Sequence, residues 1–494
     1  MARSAALAAA RAAGVGEEAS AYEGALVERD LLEQKFAKAA GEVGQAGVEH
    51  RARLARTRGE TLNRIAALTS ALKARAPRYW DYRAPEPIDF AALQARAGPD
   101  ASLLNRNESL IVILAPPGDD RGIVFAVSKR RTAWARIALT GRELKTRVDG
   151  LRAQIEARHR AFDRRSAYEL YLALLGAPAI QAVIRDTPVL LFVPSGSLTS
   201  LPPGLLVTAP PEGGPSGDAD QAGLRATPWL LRSKAVALLP SVSSLRTLRQ
   251  LTASDRVAAS DPLLAFADPD FAGPGPASAA ADLPASARLG DALHKLPRLP
   301  GARREGEALE RALGGRPGSL LTGAQASKAE LMARNADGRL ANVRVLEFAT
   351  HGLVAGDAVG LAEPALALAA GLRTEDELLM ASEASTLKLN AEWVLLSACN
   401  TASPDAPESQ GLSGLSRAFF FAGARSLLIS HWPVRDDIAA RLIPATLLVE
   451  RDMPGLSRAE ALQRASLAIL DDPRLYAANP AAWAPFSLVG EAGR

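Results

Sequence analysis

The sequence predicts an α/β protein: a mostly parallel sheet sandwiched by helices, preceded by a second α/β lobe and an N-terminal helical arm. Three observations carry that prediction. From about residue 256 onward, short apolar runs alternate with amphipathic helical stretches. Residues 91–255 carry a sparser version of the same alternation, and residues 1–76 carry helical periodicity alone. Strands that alternate with helices form parallel sheets, because each crossover helix must cover a sheet face.

The arm shows Leu26, Leu31, Leu32, Phe36 and Val43 near helical spacing, then Leu54, Leu62, Ile65, Leu68 and Leu72. Gly41, Gly44 and Gly47 weaken the middle and predict a break between two helices. Ala76-Pro77 stops the pattern, and Pro85 and Pro87 mark a linker over residues 77–90. In the next lobe, 91–255, Ser109–Leu114 and Gly122–Val127 read as strands around the turn PPGDDR. Thr140–Arg160 reads as a polar amphipathic helix, Val189–Val193 as a buried strand, and Ser241 as the N-cap of a helix. Two stretches rich in Pro, Gly, Ala and Asp, 209–223 and 269–289, read as loops. In the last lobe, 256–494, the strands are Leu263–Ala267, Val343–Ala349, Trp393–Ala398 and Ser426–Ser430. The helices are Ala302–Leu313, Leu412–Phe421, Asp436–Glu450 and Ser457–Leu470.

Composition removes several function classes. With 494 residues the chain is expected to form two or three domains of roughly 150 residues each. Lys plus Arg is 58 and Asp plus Glu is 54, and the resulting +4 makes no field strong enough to argue for nucleic acid. A single cysteine, Cys399, builds neither an internal disulfide nor a Cys-based zinc cluster, and five histidines do not suggest a His-rich metal site. The opening MARSAALAAARAAGVG reads as an Ala-rich helix, because Arg11 interrupts the apolar run that a signal peptide needs. No stretch of about 18 apolar residues occurs, so no membrane span is expected and the expected compartment is the cytoplasm, where the thiol stays reduced. P-loop, GxGxxG and HExxH patterns are absent. GLSGL lacks the glycine spacing of a nucleophile elbow.

Chemistry in a parallel sheet collects beyond the carboxyl ends of its strands. Val343–Ala349 runs into Thr350-His351-Gly352, and Trp393–Ala398 runs into Cys399-Asn400-Thr401. Neighbouring parallel strands lie about 4.8 Å apart, so His351 and Cys399 are expected on one edge if these two strands adjoin. An imidazole beside a thiol makes an activated nucleophile for acyl transfer. Backbone N–H groups of Gly352 and Cys399 are the expected oxyanion donors. His431, in SHWPV, ends another strand and competes on position, but no glycine follows it.

These segments resemble a known family. FATHG (348–352) and LLSACNTA (395–402) are similar to the two signature motifs of the CHAT-domain family, in the caspase–separase clan of cysteine peptidases. LLAFADPDF (263–271), LPGARREGEAL (299–309), LMASE (379–383), GLSGLSRAFFFAGARSLLISHWPV (411–434) and WAPFSLVG (483–490) resemble the family's further blocks in its order. VPSGSLTSLPPGLL (193–206) and WDYRAPEPIDFAALQ (80–94) resemble its earlier ones, so the resemblance covers residues 80–494. It implies a caspase-like α/β sandwich, a pseudo-caspase-like lobe over 91–255, His351 as general base and Cys399 as nucleophile. A His roughly 50 residues before the Cys is the caspase arrangement.

The pattern departs in places. Ser409-Gln410-Gly411-Leu412 stands where the family has Gly-Glu-Gly-Leu, and Ala402 replaces a glycine. Ser397 occupies the place, two before the cysteine, where clan members that cleave after Arg or Lys carry an acid. Asp357, Asp376, Glu383 and Asp405 are candidates for a substrate pocket, with Trp432 in its wall. The expected activity is an endopeptidase needing no cofactor and no metal, latent until a partner activates it in bacterial signalling or defence. The expected substrate is a protein, such as a pore-former or effector encoded nearby. The arm, as a TPR-derived element, would receive the activator, and neither nucleic acid nor membrane is an expected partner. The alternative reading is a catalytically silent scaffold of the same fold.

Overall fold

A computed structural model of the chain describes residues 14–39, 44–76, 88–94, 103–157, 161–212, 220–250, 259–272, 285–353, 361, 363–371, 376–397 and 414–492. Contacts divide the chain into two compact units, Met1–Pro87 and Ile88–Arg494. The first unit holds helices α1 (Gly16–Ala39) and α2 (Gly44–Arg75), separated at the glycine-weakened segment. They pack through Val15, Ala19 and Tyr22 of one side against Leu72 and Ala76 of the other, with Leu26, Ile65 and Leu68 around them. Arg64–Glu28 and Arg75–Glu18 ion pairs tie the same two helices together.

The second unit is built on an eleven-stranded sheet. Its first half contributes β1 (Glu108–Leu114), β2 (Arg121–Ser128), β3 (Thr132–Thr140), β4 (Val189–Val193) and β5 (Ala235–Leu238). Its second half contributes β6 (Asp261–Pro269), β7 (Leu320–Gly323), β8 (Val343–Ala349), β12 (Trp393–Leu396), β13 (Ser426–Ser430) and β14 (Phe486–Gly490). A separate three-stranded antiparallel sheet holds β9 (Gly352–Leu353), β10 (Ala365–Ala367) and β11 (Leu378–Met380). The order in the large sheet is β3-β2-β1-β4-β5-β14-β13-β12-β8-β6-β7. All neighbours are parallel except β1–β2, β2–β3 and β13–β14.

The helices used below are α3 (Gly141–Glu156), α4 (Arg164–Leu175), α5 (Pro178–Ile184), α6 (Val242–Gln250), α7 (Ala285–Leu293), α8 (Pro300–Leu313), α9 (Lys328–Ala336), α10 (Gly414–Ala422), α11 (Asp436–Asp452) and α12 (Arg458–Asp471). Their starts follow capping chemistry. Thr140 and Glu143 form a capping box on α3, as do Ser457 and Glu460 on α12. The Ser241 hydroxyl accepts from the Ser244 N–H at the start of α6. Helices cover both faces around β8. Glu347 points towards α8, where it meets Glu305. The next residue, Phe348, points the other way, stacking on Phe266 at 5.3 Å and meeting Phe419 of α10 at 5.4 Å. Every residue of β8 except Arg344 is buried, as a sheet covered on both faces requires.

Sequence patterning locates most of these elements within a few residues. Val343–Ala349, Val189–Val193 and Ser426–Ser430 are strands over the residues expected. The strand expected over 393–398 is regular only to Leu396. Strands β3, β5, β7 and β14, the small sheet, and helices α4, α5, α7 and α9 went unread; α7 begins at Ala285, inside the stretch 269–289 expected as a loop, because its Ala and Leu residues favour helix once the prolines end. β14 joins the halves: it runs parallel to β5 and antiparallel to β13. Just before it, Trp483 packs against Trp229 of the first half at 5.3 Å, and Trp229 meets Phe162 at 5.6 Å. Large buried rings of this kind contribute about 0.5–1.5 kcal/mol per pair beyond their area. No single helix among the described residues is long and apolar enough to cross a membrane.

Candidate active site

The order of strands in the second half reverses at one place. β7 lies on one side of β6, while β8, β12 and β13 extend from the other. Chains leaving β6 and β8 therefore go to opposite sides and open a crevice at their carboxyl ends, the place where parallel sheets collect ligands. β8 delivers His351 to that crevice. Thr350 is buried, and its hydroxyl donates to the Ala367 carbonyl at 2.5 Å, while the Ala367 N–H donates to the His351 carbonyl at 2.9 Å. The turn after β8 is thus fastened to β10, and Gly352 opens β9 opposite Leu366. The His351 side chain remains only partly buried.

The imidazole has a defined tautomer. Nε2 lies 2.9 Å from the Pro297 carbonyl oxygen. A carbonyl only accepts, so Nε2 carries the hydrogen and, in the neutral ring, Nδ1 keeps the lone pair. The Phe271 ring packs against the imidazole, with centroids 5.4 Å apart. Phe271 is itself buried among Leu289, Leu293, Leu361 and Ala365. Neither Phe271 nor Pro297 was singled out from sequence. Their only signal was membership of the 263–271 block and adjacency to the 299–309 block.

On the other flank, β12 is the parallel neighbour of β8, with Leu396 opposite Phe348. The Ser397 N–H donates to the Phe348 carbonyl at 3.1 Å, extending the pairing one residue further. The strand leading to Cys399 is therefore next to the strand leading to His351, as the sequence reading required. Cys399 itself, with Asp357 and Asp405, lies outside the described residues.

Beneath these strand ends sits a pair of carboxyls that sequence did not reveal. The Ser397 hydroxyl donates to Glu305 Oε2 at 3.0 Å, and Glu305 of α8 faces Glu347 of β8. Both glutamates are buried, and neither Glu347 oxygen has a donor from any other group. Two ionised carboxylates would only repel there, so their contact becomes a hydrogen bond when Glu347 keeps its proton and donates it to Glu305. Burial first, and then the neighbouring Glu305 charge, raise Glu347 well above the carboxylate range. Burial also raises Glu305, while the bonds from Glu347 and Ser397 oppose the rise. The serine that stands where related peptidases carry an acid thus has a carboxyl group bonded to its side chain.

Other candidates have structural positions. Glu383 caps the short helix Ala381–Ala384 through the Met380 N–H at 3.0 Å and pairs with Lys328 at 2.7 Å. Asp376 is partly buried ahead of β11. Trp432 is buried, with its indole N–H on the Ala481 carbonyl at 3.0 Å and the Arg152 guanidinium over its ring at 5.9 Å. It packs inside the unit and presents no open pocket wall. His431 is fully buried, its Nε2 2.8 Å from the Ser487 hydroxyl. Burial, together with nearby Arg152, lowers it to about 3, so it stays neutral and serves as a joint between β13 and β14.

The family model described as the CHAT domain matches residues 164–491, two thirds of the chain and every strand from β4 to β14. The chain belongs to the CHAT-domain family. That places it in the caspase–separase clan, a caspase-like peptidase family, and within the matched CHAT residues lie His351, Ser397 and the whole β6–β8 crevice. No curated protein matches the sequence. Among solved structures, two crystal structures of the Saccharomyces cerevisiae separase–securin complex are similar. One has 10% identity and a TM-score of 0.42 over 91% of this CHAT chain. The other has 11% identity and a TM-score of 0.41 over 94%. The CHAT chain spans about a third of the length of those separase chains (34% and 37%).

Proposed function

We propose that this CHAT-domain chain is a cysteine endopeptidase in which His351 is the base and Cys399 the nucleophile. The observation that carries the reading is the adjacency of β8 and β12, next to the β6–β8 strand reversal, with the imidazole already in the tautomer that leaves Nδ1 free to accept a proton. In the reaction, Nδ1 takes the proton of the Cys399 thiol, and the thiolate sulfur attacks the carbonyl carbon of a peptide bond. Negative charge builds on the carbonyl oxygen, where the N–H groups of Gly352 and Cys399 are the nearest candidate donors in sequence. The C–N bond breaks as Nδ1–H delivers its proton to the departing amine. Water, deprotonated by the same nitrogen, then cleaves the thioester and restores the thiol. The Nε2–H bond to Pro297 stabilises the imidazolium through the cycle.

Latency and a partner complete the reading. The α1–α2 arm, read as TPR-derived, receives an activating protein, and the setting is bacterial signalling or defence with a protein substrate. The test uses the full chain with a peptide library, with and without candidate partners. Cleavage, and labelling of Cys399 by a peptidyl electrophile that depends on His351, are the expected results. Cleavage that persists in a folded Cys399→Ala protein rejects the assignment. No labelling under any activating condition would instead favour the silent scaffold.

A further inference from the structure

The end of β6 contains an irregularity that serves no purpose within the strand itself. Ala267 pairs with Thr322 and Pro269 with Gly323, so Asp268 is an extra residue opposite a single step of β7. It has φ +46°, one of only two non-glycine residues in the left-handed region among the described residues. That conformation is costly for most L-residues, and bulges of this kind re-aim a side chain. Here the re-aimed carboxylate is buried and engaged on all sides. Oδ1 accepts from Arg298 Nε at 2.9 Å and from the Leu299 N–H at 2.8 Å, and Oδ2 accepts from Arg298 Nη2 at 2.7 Å. Burial alone would raise this carboxyl, but Arg298 and the Leu299 N–H outweigh it and hold it below the carboxylate range.

The two residues it grips directly follow Pro297, whose carbonyl receives the His351 Nε2–H. Three residues after Asp268, the same turn supplies Phe271 against the imidazole face. A simple helix anchor at the start of α8 would need only the bond to the Leu299 N–H; the bidentate clamp on Arg298 fixes the chain one residue closer to the carbonyl.

We infer that Asp268 is a positioning residue for His351: by clamping Arg298 and Leu299 it holds the Pro297 carbonyl on Nε2 and so fixes the tautomer that makes Nδ1 the base. The inference rests on the reading of His351 as the base of a peptidase. Its test does not depend on turnover, because the tautomer is read directly.

The experiment is nitrogen-15 histidine NMR on the full chain, with His351→Gln to assign the signal, alongside cleavage kinetics. Asp268→Asn is the main variant, because Asn also tolerates φ near +46° but offers one acceptor to three donors and carries no charge. Wild type is expected to show His351 protonated at Nε2 and bare at Nδ1. Asp268→Asn is expected to mix the two tautomers and to lower kcat about tenfold or more, with KM within about twofold, because misplacing a catalytic group affects the step and not the binding. Arg298→Gln breaks the clamp from its exposed end and decides the matter if Asp268→Asn does not fold. Arg303→Gln, which removes the outlying 3.6 Å neighbour of Asp268 and a 3.3 Å bond to the Thr322 hydroxyl but leaves the Arg298 clamp, is expected to leave the tautomer unchanged. A wild-type tautomer in both folded Asp268→Asn and Arg298→Gln overturns the inference. If the tautomer shifts as expected but wild type cleaves nothing, the positioning stands and the peptidase reading fails.

Discussion

The two halves of the large sheet each place a parallel pair of strands side by side, β1 with β4 and β8 with β12, and finish them differently. In the first half, β1 runs into Ala115 and β4 into Pro194-Ser195. The Ser195 hydroxyl accepts from the Ala115 N–H at 2.8 Å, so one strand end closes on the other. In the second half the residues just past the strands include His351 and Ser397, held from outside by Pro297, Phe271 and Glu305. Because β14 reverses direction between the halves, the two sets of carboxyl ends also emerge on opposite edges of the sheet. One architecture is used once as a closed support and once as an open crevice. The difference lies in a handful of side chains after the strands, not in the strands themselves.

Buried carboxyls tell the same story. Glu108, at the start of β1, meets Arg249 of α6 in a bidentate pair at 2.6 and 2.8 Å. Glu347 and Glu305, under the crevice, have no such cation among the described residues, and burial raises both above the ordinary carboxylate value.

Four experiments test the contrast between the two halves. The largest effect is expected from His351→Ala, which should reduce cleavage by about 10²–10⁴-fold with the melting temperature little changed; kinetics and calorimetry on the same sample check both. Next comes Glu108→Ala, which removes the carboxylate from the mostly buried Arg249 guanidinium and should cost about 3–5 kcal/mol of stability in urea unfolding.

Glu347→Gln probes the contrasting pair. Glu305 and Glu347 are both raised above their ordinary value of 4.5, so at these two sites the folded chain holds more protons than the unfolded chain above that pH. The pair's contribution to stability is therefore fullest below about pH 4.5 and declines as pH rises through the raised values, Glu305 reaching about 7. Asp436, at the start of α11, adds to this by repelling a charged Glu305. The Gln variant keeps an N–H donor to Glu305 but removes one titrating group. Its melting temperature should fall less than that of wild type between about pH 5 and 8, and parallel profiles would show that the pair does not titrate as described. The smallest effect is expected from Ser195→Ala. Losing one hydrogen bond at the closed ends should cost about 1 kcal/mol and leave cleavage rates untouched; a change in rate would mean that the first half contributes more than support.

The strands of the second half were legible because each is a compact apolar run that must be buried on both faces. β3 was not, because Ala133, Ala135 and Leu139 are only partly buried and Trp134 and Arg136 are exposed, which blurs its pattern. β14 was read only as a family block. A five-residue apolar segment does not say which strands it will lie between, and its place between β5 and β13 depends on residues well outside the segment, those of β5 lying more than 200 positions away.

The site divides along the same line. His351 and Ser397 could be placed at strand ends from the sequence because a strand's end follows from its own residues to within a residue or two, and what leaves that end follows from the next two or three. Pro297, Asp268 and Glu305 could not, since each acts through an approach between segments distant in the chain: a carbonyl is common to every residue, and a glutamate at helical spacing looks solvated until a strand packs over it. By itself, the sequence determined the fold class, the strand ends and the candidate base, all properties of local patterning. Only the tertiary structure decided which strands adjoin, which carbonyl meets the imidazole and which carboxyl must keep its proton, because those depend on long-range packing and on the loss of water that packing imposes.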